Sequence, residues 1–285
     1  MTTPRIKSSF LSVLAWLVFI CLLHGTAQAQ GLAMALDRSG DVDVTAGGKT
    51  ARLNVLDYLP PDAELRLPAG SAATLVYLST SQEWQFAGPG LYRLQAGQPA
   101  VVQGAAPKAR GVPVASAKAM TKLEPTQRER MALGAVVMRA SGPLRIVSPN
   151  NVDVLDTRPT LLWQMTENRP VRITVSPVGS QTPAAQTVTS AMQWTVPVEL
   201  AAGDYLWRAE AATEPPGLPR NGRFRIIDSA DERRARAGSL PAGFAQRVSH
   251  AVMLESEDLP HDALLLWRTL AAERPDEESL KQWAR

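Results

Sequence analysis

Cysteine and histidine are nearly absent from this chain. It has one cysteine, Cys21, and three histidines among 285 residues; beyond the N-terminal region the histidines are His250 and His261. A lone cysteine excludes a disulfide framework within the chain. The sequence also lacks the G-x-S-x-G, H-E-x-x-H and glycine-rich phosphate-loop signatures of common hydrolases, metalloproteases and nucleotide-binding enzymes. We therefore predict a non-enzymatic protein with no catalytic, cofactor-binding or metal-binding residues, and the sequence does not indicate which residues bind a partner.

Two groups of acidic residues are the remaining candidates for chemistry. Asp41 and Asp43 share one face of a predicted strand, and two carboxylates alone are a weak cation site. Glu255, Glu257 and Asp258 cluster at a predicted turn between helices. A carboxylate pair beside tryptophans would suit carbohydrate hydrolysis. Solvated strand and helix ends explain the same residues without any chemistry.

Met1–Ala29 has the three parts of a secretory signal peptide. Arg5 and Lys7 form its positive start, Phe10–Leu23 is apolar, and Ala27-Gln28-Ala29 fits a small-x-small cleavage site. The apolar run is shorter than the roughly 20 residues that a membrane span needs. We predict export to the periplasm with cleavage after Ala29 and no transmembrane segment in the mature chain. Retention as an uncleaved anchor is the alternative.

The charges balance once this segment is removed. The full chain has 30 basic and 27 acidic residues, and loss of Arg5 and Lys7 leaves 28 against 27, a net charge of +1. An exported chain with so little net charge is not expected to bind nucleic acid. Its length predicts two or three domains.

Residues 30–98 have the pattern of a β domain. Asp41–Val55 alternates around a Gly-Gly turn, which predicts a hairpin. Ala72–Tyr77 predicts a strand, and Trp84 and Phe86 project from one face of the strand that follows. Gly88-Pro89-Gly90 predicts a bend in which the glycines take positive φ. Together these features predict a β-meander with a hydrophobic face.

The order of these motifs resembles the FecR-type periplasmic domain. That family shows a G-x-V-x-V strand, a segment of spaced leucines, a G-S-x-A-x-L-x-L strand and a G-P-G turn. The matching stretches here are Gly40–Val44, Leu53–Leu65, Gly70–Tyr77 and Phe86–Gly90, while Ser79–Gln82 departs from the Asp-Gly hairpin common in the family. The resemblance implies a periplasmic module. Regulatory relatives carry a cytoplasmic anti-sigma segment where this chain has a signal peptide, so anti-sigma signalling is not supported.

Residues 99–133 are rich in proline and alanine and predict a linker. Its scattered basic residues, which could meet an anionic lipid or polymer, are Lys108, Arg110, Lys118 and Lys122. Because acidic residues interrupt them, a solvated connector is the favoured interpretation.

Residues 134–229 predict about seven short strands, among them Ala135–Arg139, at intervals typical of a β-sandwich. The motifs around Trp163 and around Tyr205 and Trp207 resemble an immunoglobulin or fibronectin type III module. Aromatic residues at period two on a strand are usually core. The alternative is an aromatic platform for sugar rings.

Residues 230–285 change to a helical period. Arg233, Arg234 and Arg236 predict a charged, solvent-facing first turn. Phe244–Asp276 resembles one tetratricopeptide unit, with Arg247 at the position that is usually tryptophan. A single repeat cannot bury its own core. The hairpin must therefore pack on its own chain, on a partner, or on a second copy through self-association.

The sequence thus predicts a mainly β protein: a FecR-like β-meander domain, an immunoglobulin-like sandwich and a short C-terminal helical hairpin. We expect a non-catalytic cell-envelope protein that binds or scaffolds an envelope protein or glycan. The alternatives are a carbohydrate- or peptidoglycan-binding protein and a glycan-active enzyme.

Overall fold

Two β-sandwiches follow one another along the chain, and a helical unit ends it. The computed structural model describes residues 31–113, 116–123, 144–167, 169–212 and 218–285. The predicted signal peptide and the predicted strand Ala135–Arg139 lie outside these residues. Within them the fold class is confirmed as mainly β, with four sheets and C-terminal helices.

The first sandwich consists of two five-stranded antiparallel sheets. One sheet has the order β10-β7-β6-β1-β4, and the other has the order β3-β2-β5-β8-β9. The strands are β1 (Ala33–Ser39), β2 (Asp43–Ala46), β3 (Lys49–Arg52), β4 (Tyr58–Leu59), β5 (Glu64–Leu67), β6 (Ala72–Tyr77), β7 (Gln82–Ala87), β8 (Gly90–Leu94), β9 (Pro99–Gln103) and β10 (Lys108–Gly111). The predicted hairpins β2–β3 and β6–β7 are both present. The predicted meander divides between two sheets, because β6 and β7 pair in one sheet whereas β5 and β8 pair in the other.

Strand β6 is buried on both faces. Leu75 and Tyr77 point into the core between the two sheets. Val76 points the other way, into a second core outside the sandwich. Strand β1 alternates in the same way, with Ala33 and Ala35 facing inward. The first sheet therefore has no solvent-facing side along these two strands.

The predicted linker at 99–133 begins with structure that belongs to the first sandwich. Strand β9 pairs with β8, and β10 pairs with β7, so each extends one sheet at its edge. Residues 116–123 are helical, and Met120 is fully buried. Edge strands need little apolar sequence because one side and one face can remain in solvent, which is why the prediction missed them.

The Gly88-Pro89-Gly90 bend needs glycine for space and not for positive φ, as neither glycine has positive φ. A Cβ on Gly88 would lie 1.8 Å from the carbonyl oxygen of Pro68, and one on Gly90 would lie 2.6 Å from the ring of Tyr92. The bend packs directly against the preceding loop, and this close approach is what excludes a side chain.

The second sandwich has a three-stranded and a five-stranded sheet. Their orders are β11-β13-β16 and β12-β18-β17-β14-β15. The strands are β11 (Leu144–Ser148), β12 (Val152–Val154), β13 (Thr160–Met165), β14 (Val171–Pro177), β15 (Ala185–Thr189), β16 (Gln193–Thr195), β17 (Gly203–Ala211) and β18 (Arg220–Ile226). Trp163 and Trp207 meet in its core with ring centroids 6.4 Å apart, and Tyr205 stacks on Phe224. The core interpretation of the three predicted aromatic residues is therefore correct.

Four helices follow the second sandwich: α1 (Glu232–Ala237), α2 (Phe244–Ser256), α3 (Pro260–Glu273) and α4 (Glu278–Trp283). Pro260 begins α3, as predicted, because proline lacks the N–H that a first-turn residue leaves unpaired anyway. Arg233 departs from the predicted solvent exposure. Its guanidinium lies between Asp231 and Asp153, 2.7 Å from each. No helix in the described ranges is long and apolar enough to cross a membrane.

The helices bury their apolar faces on the first sandwich. Trp267, Val248 and Leu280 form one core with Met34 and Val76 from the outer face of the first sheet. Trp267 and Trp283 hold α3 and α4 together, with ring centroids 5.6 Å apart. The apolar face of the single hairpin is thus buried against its own chain. This third core joins the helices to the first sheet.

Candidate functional site

A cleft of about 510 Å³ opens where the helices leave part of the first sheet uncovered. Its floor is the outer face of β7 and β10, and its walls are α2, the end of α1 and the segment that follows α1. The polar side chains that line it include Glu83, Arg110, Gln246, Ser249 and His250. The volume lies in the range of roughly 300–1,000 Å³ that is typical of ligand sites.

Glu83 is a fully buried carboxylate at the floor of the cleft. Arg110 donates to its Oε2 at 2.8 Å, Gln85 donates to its Oε1 at 3.2 Å, and Gln246 donates to its Oε2 at 3.3 Å. A buried charge is tolerated when it is paired and hydrogen-bonded in this way. Glu83 therefore fixes the positions of Arg110 and Gln246 on opposite sides of the cleft.

His250 lines the cleft from α2. Its side chain is partly buried, and burial lowers its pKa below the usual value. The imidazole is therefore neutral at pH 7 and carries one donor and one acceptor. Beside it, Ser249 donates its hydroxyl hydrogen to the carbonyl oxygen of Ala245, one turn earlier. These side chains provide hydrogen-bonding capacity without a charge on the α2 wall.

The exposed charge on the β10 side of the cleft is positive. The Arg110 side chain is 50% exposed whereas its partner Glu83 is 1% exposed. Arg236, on the opposite wall, is 44% exposed, and its partner Glu257 is 20% exposed. Arg236 also pairs at 3.0 Å with Glu232, whose side chain is 87% exposed, so it is the Arg110–Glu83 pair that turns its guanidinium toward solvent and its carboxylate toward protein. A ligand that approaches along β10 therefore meets the Arg110 cation first.

Strand β10 forms a free edge beside the cleft. All four of its residues are exposed, and it is the terminal strand of its sheet as far as the structure describes the chain. The Val112 N–H donates to the Ser81 carbonyl oxygen at 2.9 Å. Because inward and outward groups alternate along an antiparallel strand, Ala109 and Gly111 direct their N–H and C=O groups away from β7. Such an edge can pair with another extended chain.

The acidic residues singled out from the sequence do not converge. Asp41 is exposed and lies 3.4 Å from the guanidinium of Arg52. Asp43 lies on β2 opposite that same arginine and Arg66. No group of three or more potential metal ligands occurs in the part of the chain that the structure describes.

The acidic cluster at the interhelical turn is also divided. Glu255 accepts from the Trp267 ring nitrogen at 3.3 Å, and Glu257 pairs with Arg236. Asp258 has φ of 57° in the turn before α3. The side chains of Glu255 and Glu257 thus serve helix packing, and Asp258 forms part of the turn.

The aromatic platform is contradicted by burial. Trp163, Tyr205 and Trp207 are at most 6% exposed, so they offer no ring face to a sugar. Arg247, at the tetratricopeptide tryptophan position, instead makes a bidentate pair with Glu273 at 2.6 Å that joins α2 to α3. Lys108 and Arg110 lie on β10, and Lys118 and Lys122 lie on exposed positions of the helical segment.

One pattern in the sequence does point to the cleft. Glu83 alternates with inward-facing aromatic residues, which predicts a solvent-facing side chain. On the neighbouring strand, however, apolar Val76 lies directly opposite Glu83 on the same face. An apolar neighbour on the supposed solvent face indicates that a further layer covers this side of the sheet.

A second set of contacts attaches the helical unit to the first sandwich. The buried Arg38 guanidinium on β1 pairs with buried Glu277 at 2.7 Å and with Asp276 at 2.8 Å. Glu277 also accepts from the Val55 N–H at 2.9 Å, and Ser279 donates to the Val55 carbonyl oxygen at 2.6 Å. These bonds anchor the start of α4 on the first sandwich.

The helical unit also contacts the second sandwich. His261 Nδ1 lies 2.9 Å from the Ser148 hydroxyl, and Asp262 accepts from the Leu155 N–H at 3.1 Å. Burial lowers the pKa of His261 to about 4 and raises the pKa of Asp262 to about 6. The helices therefore connect both sandwiches through polar as well as apolar contacts. We call the Arg38–Glu277 and Ser148–His261–Asp262 contacts together the interdomain clamp.

Comparison with known proteins gives a distant likeness in fold. No family model matches the chain, and no curated protein is similar to it. Among solved structures, a two-domain fibronectin type III segment from chicken tenascin is similar at 10% identity, with 70% of this chain and 95% of that one covered and a TM-score of 0.25. The FecR-type resemblance stays a prediction.

Proposed function

We propose that this chain is a non-catalytic, exported cell-envelope protein that binds or scaffolds an envelope partner, with the cleft as its binding site. The observation that carries the proposal is the way in which the C-terminal helices pack. These helices pack on both sandwiches and leave one part of the first sheet uncovered. That uncovered part is bordered by fixed polar groups on three different segments. Such a site, held by the whole molecule, suits recognition.

The lining favours binding over chemistry. Both oxygens of Glu83 already accept hydrogen bonds from neighbouring side chains. A general base needs access to the proton that it removes. Glu83 therefore holds its neighbouring side chains in position, and the neutral ring of His250 can form hydrogen bonds with a ligand.

A protein partner is favoured over a glycan. Sites for sugars commonly present exposed aromatic rings, and the described side chains that line this cleft include no tryptophan, tyrosine or phenylalanine. The three aromatic residues proposed as a sugar platform are buried. Free strand edges and paired guanidiniums are instead the groups that recognise peptide backbone and carboxylates.

The proposal includes the domain assignments made from sequence. The first sandwich would be a FecR-type domain that extends to Gly111, the second an immunoglobulin or fibronectin type III module, and α2–α3 a single tetratricopeptide-like hairpin. Periplasmic location rests on the signal-like features of Met1–Ala29. Cell fractionation, with mass determination of the mature N-terminus, tests that part separately.

Photo-crosslinking in cells tests the function. The full chain would carry p-benzoylphenylalanine in place of His250 inside the cleft, or in place of Thr50 on exposed β3 as the matched control. We expect adducts with one or two envelope proteins from position 250 and none from position 50. Sedimentation with isolated sacculi, without protein adducts, would support the glycan alternative. Absence of both adducts and sedimentation would refute the proposal.

A further inference from the structure

We propose that the cleft binds an extended, acidic peptide segment, which pairs with the free edge of β10 and places side chains between β10 and α2. This inference rests on the proposed function, since it specifies the chemistry of the envelope partner. Three features of the molecule lead to it: the direction of the free backbone groups, the charge at the cleft, and the character of its walls.

The backbone of β10 provides the first feature. Ala109 and Gly111 direct hydrogen-bonding groups away from β7, and Gly111 also lines the cleft. A peptide in extended conformation satisfies these groups by adding a strand to the first sheet. Its alternate side chains then project over the outer face of the sheet, toward Glu83 and Arg110.

The charge distribution selects acidic side chains. The Arg110 guanidinium is exposed on β10, while the carboxylate of its partner Glu83 is covered. Lys108 adds a second exposed cation on the same strand. Carboxylates of the peptide gain charge-assisted hydrogen bonds here, whereas lysines would meet like charges.

The walls of the cleft combine apolar and hydrogen-bonding side chains. Val112, Pro113, Pro241 and Met253 provide apolar contacts, and Gln246 and His250 provide hydrogen bonds. This mixture suits short aliphatic side chains that alternate with acidic ones. A peptide with alternating valine and glutamate combines this pattern with high β-propensity.

Fluorescence anisotropy with the full mature chain provides the test. The probe is a fluorescein-labelled eight-residue peptide of alternating valine and glutamate, and the control probe has lysine in place of glutamate. Ala109→Pro removes one outward N–H from β10, which an edge strand tolerates, whereas Ala109→Val keeps that N–H. Ser249→Trp fills the cleft from α2 without changing β10.

We expect saturable binding of the glutamate peptide and no binding of the lysine peptide. Ala109→Pro and Ser249→Trp should each weaken binding at least tenfold, while Ala109→Val should bind like wild type. Thermal melting identifies any variant that fails to fold. If Ala109→Pro fails to fold, Ser249→Trp still tests the inference. No saturable binding, equal binding of both peptides, or equal binding by wild type and both blocking variants would overturn the inference. Adducts from position 250 in cells together with any of these results would leave the proposed function standing and reject only the acidic segment.

Discussion

At the scale of single residues, Trp207 is closely enclosed in the core of the second sandwich. Its ring nitrogen donates to the Pro149 carbonyl oxygen at 2.8 Å, and the ring is fully buried beside Trp163. A Cβ on Gly222 would lie 2.2 Å from that nitrogen. The indole is therefore enclosed by these residues, and its ring N–H is hydrogen-bonded.

Truncation of this side chain should destabilise the sandwich strongly. We expect Trp207→Ala to lower the free energy of unfolding by about 3–5 kcal/mol, because it removes a large buried side chain and leaves a cavity. Urea denaturation followed by circular dichroism measures the change. Leu206→Ala is the matched control, since Leu206 is its exposed neighbour and should change little. Wild-type stability of Trp207→Ala would show that the core interpretation is wrong.

His261 and Asp262 predict opposing pH effects on stability. The folded pKa of His261 is about 4, below its ordinary value, so its contribution to stability is lost as pH falls from about 6.5 to 4. The folded pKa of Asp262 is about 6, above its ordinary value, so stability increases as pH falls from about 6 to 4. In the wild-type protein the two contributions largely cancel.

Single substitutions should separate the two contributions. Relative to wild type, Asp262→Asn should lose about 3 kcal/mol of stability between pH 6.5 and pH 4, and His261→Asn should gain a similar amount. Denaturation curves at half-unit pH intervals measure both slopes. If the stability of both variants, relative to wild type, changed with pH in the same direction, the pKa shift assigned to one of these two groups would be wrong.

At the scale of elements, α4 depends on one buried ion pair. Arg38 and Glu277 are almost fully buried, and Glu277 also accepts a backbone hydrogen bond from Val55. Breaking a buried pair leaves an uncompensated charge, which typically costs about 3–5 kcal/mol. We expect a loss of this size for Glu277→Gln, with early hydrogen exchange of α4 amides as the local readout.

The neighbouring acid provides the control. Glu278 is 60% exposed and pairs only with exposed basic residues. Glu278→Gln should therefore change stability by less than about 0.5 kcal/mol. Equal losses of stability in Glu277→Gln and Glu278→Gln would mean that burial does not determine how strongly these residues hold α4 on the first sandwich.

Elements with strong apolar alternation were the ones that could be predicted from sequence. Strands β6 and β14 have apolar residues at every second position, and α3 repeats them at helical spacing. Strand β15, with the sequence AQTVT, was missed because it lies at a sheet edge and needs no strong apolar pattern. The cleft could not be predicted because its walls come from segments more than 130 residues apart, such as Glu83 and Gln246. No local sequence pattern shows that two such segments lie side by side in the fold.

At the scale of the whole molecule, the three cores share elements. Strand β1 contributes to two cores, and the helices contact both sandwiches. We therefore expect the full chain to unfold in a single cooperative transition in scanning calorimetry. Two separate transitions would show that the interdomain clamp is weak.

Removal of residues 241–285 tests the same coupling. It uncovers Met34, Leu36 and Val76, which the helices bury. We expect the first sandwich to lose its transition and to bind a hydrophobic dye, while the second sandwich keeps a transition near its own melting temperature. Unchanged melting of the first sandwich would contradict a shared core.

The order of the elements along the chain has a consequence for biosynthesis. A ribosome completes the strands of the first sandwich long before it makes Trp267, Leu280 and Trp283, which cover that sandwich. Throughout this interval the outer face of β1 and β6 is an exposed apolar surface on a nascent chain. Synthesis of α2–α4 thus determines when this surface is buried and protected from aggregation, and a premature stop codon before these helices would damage the part of the protein made first.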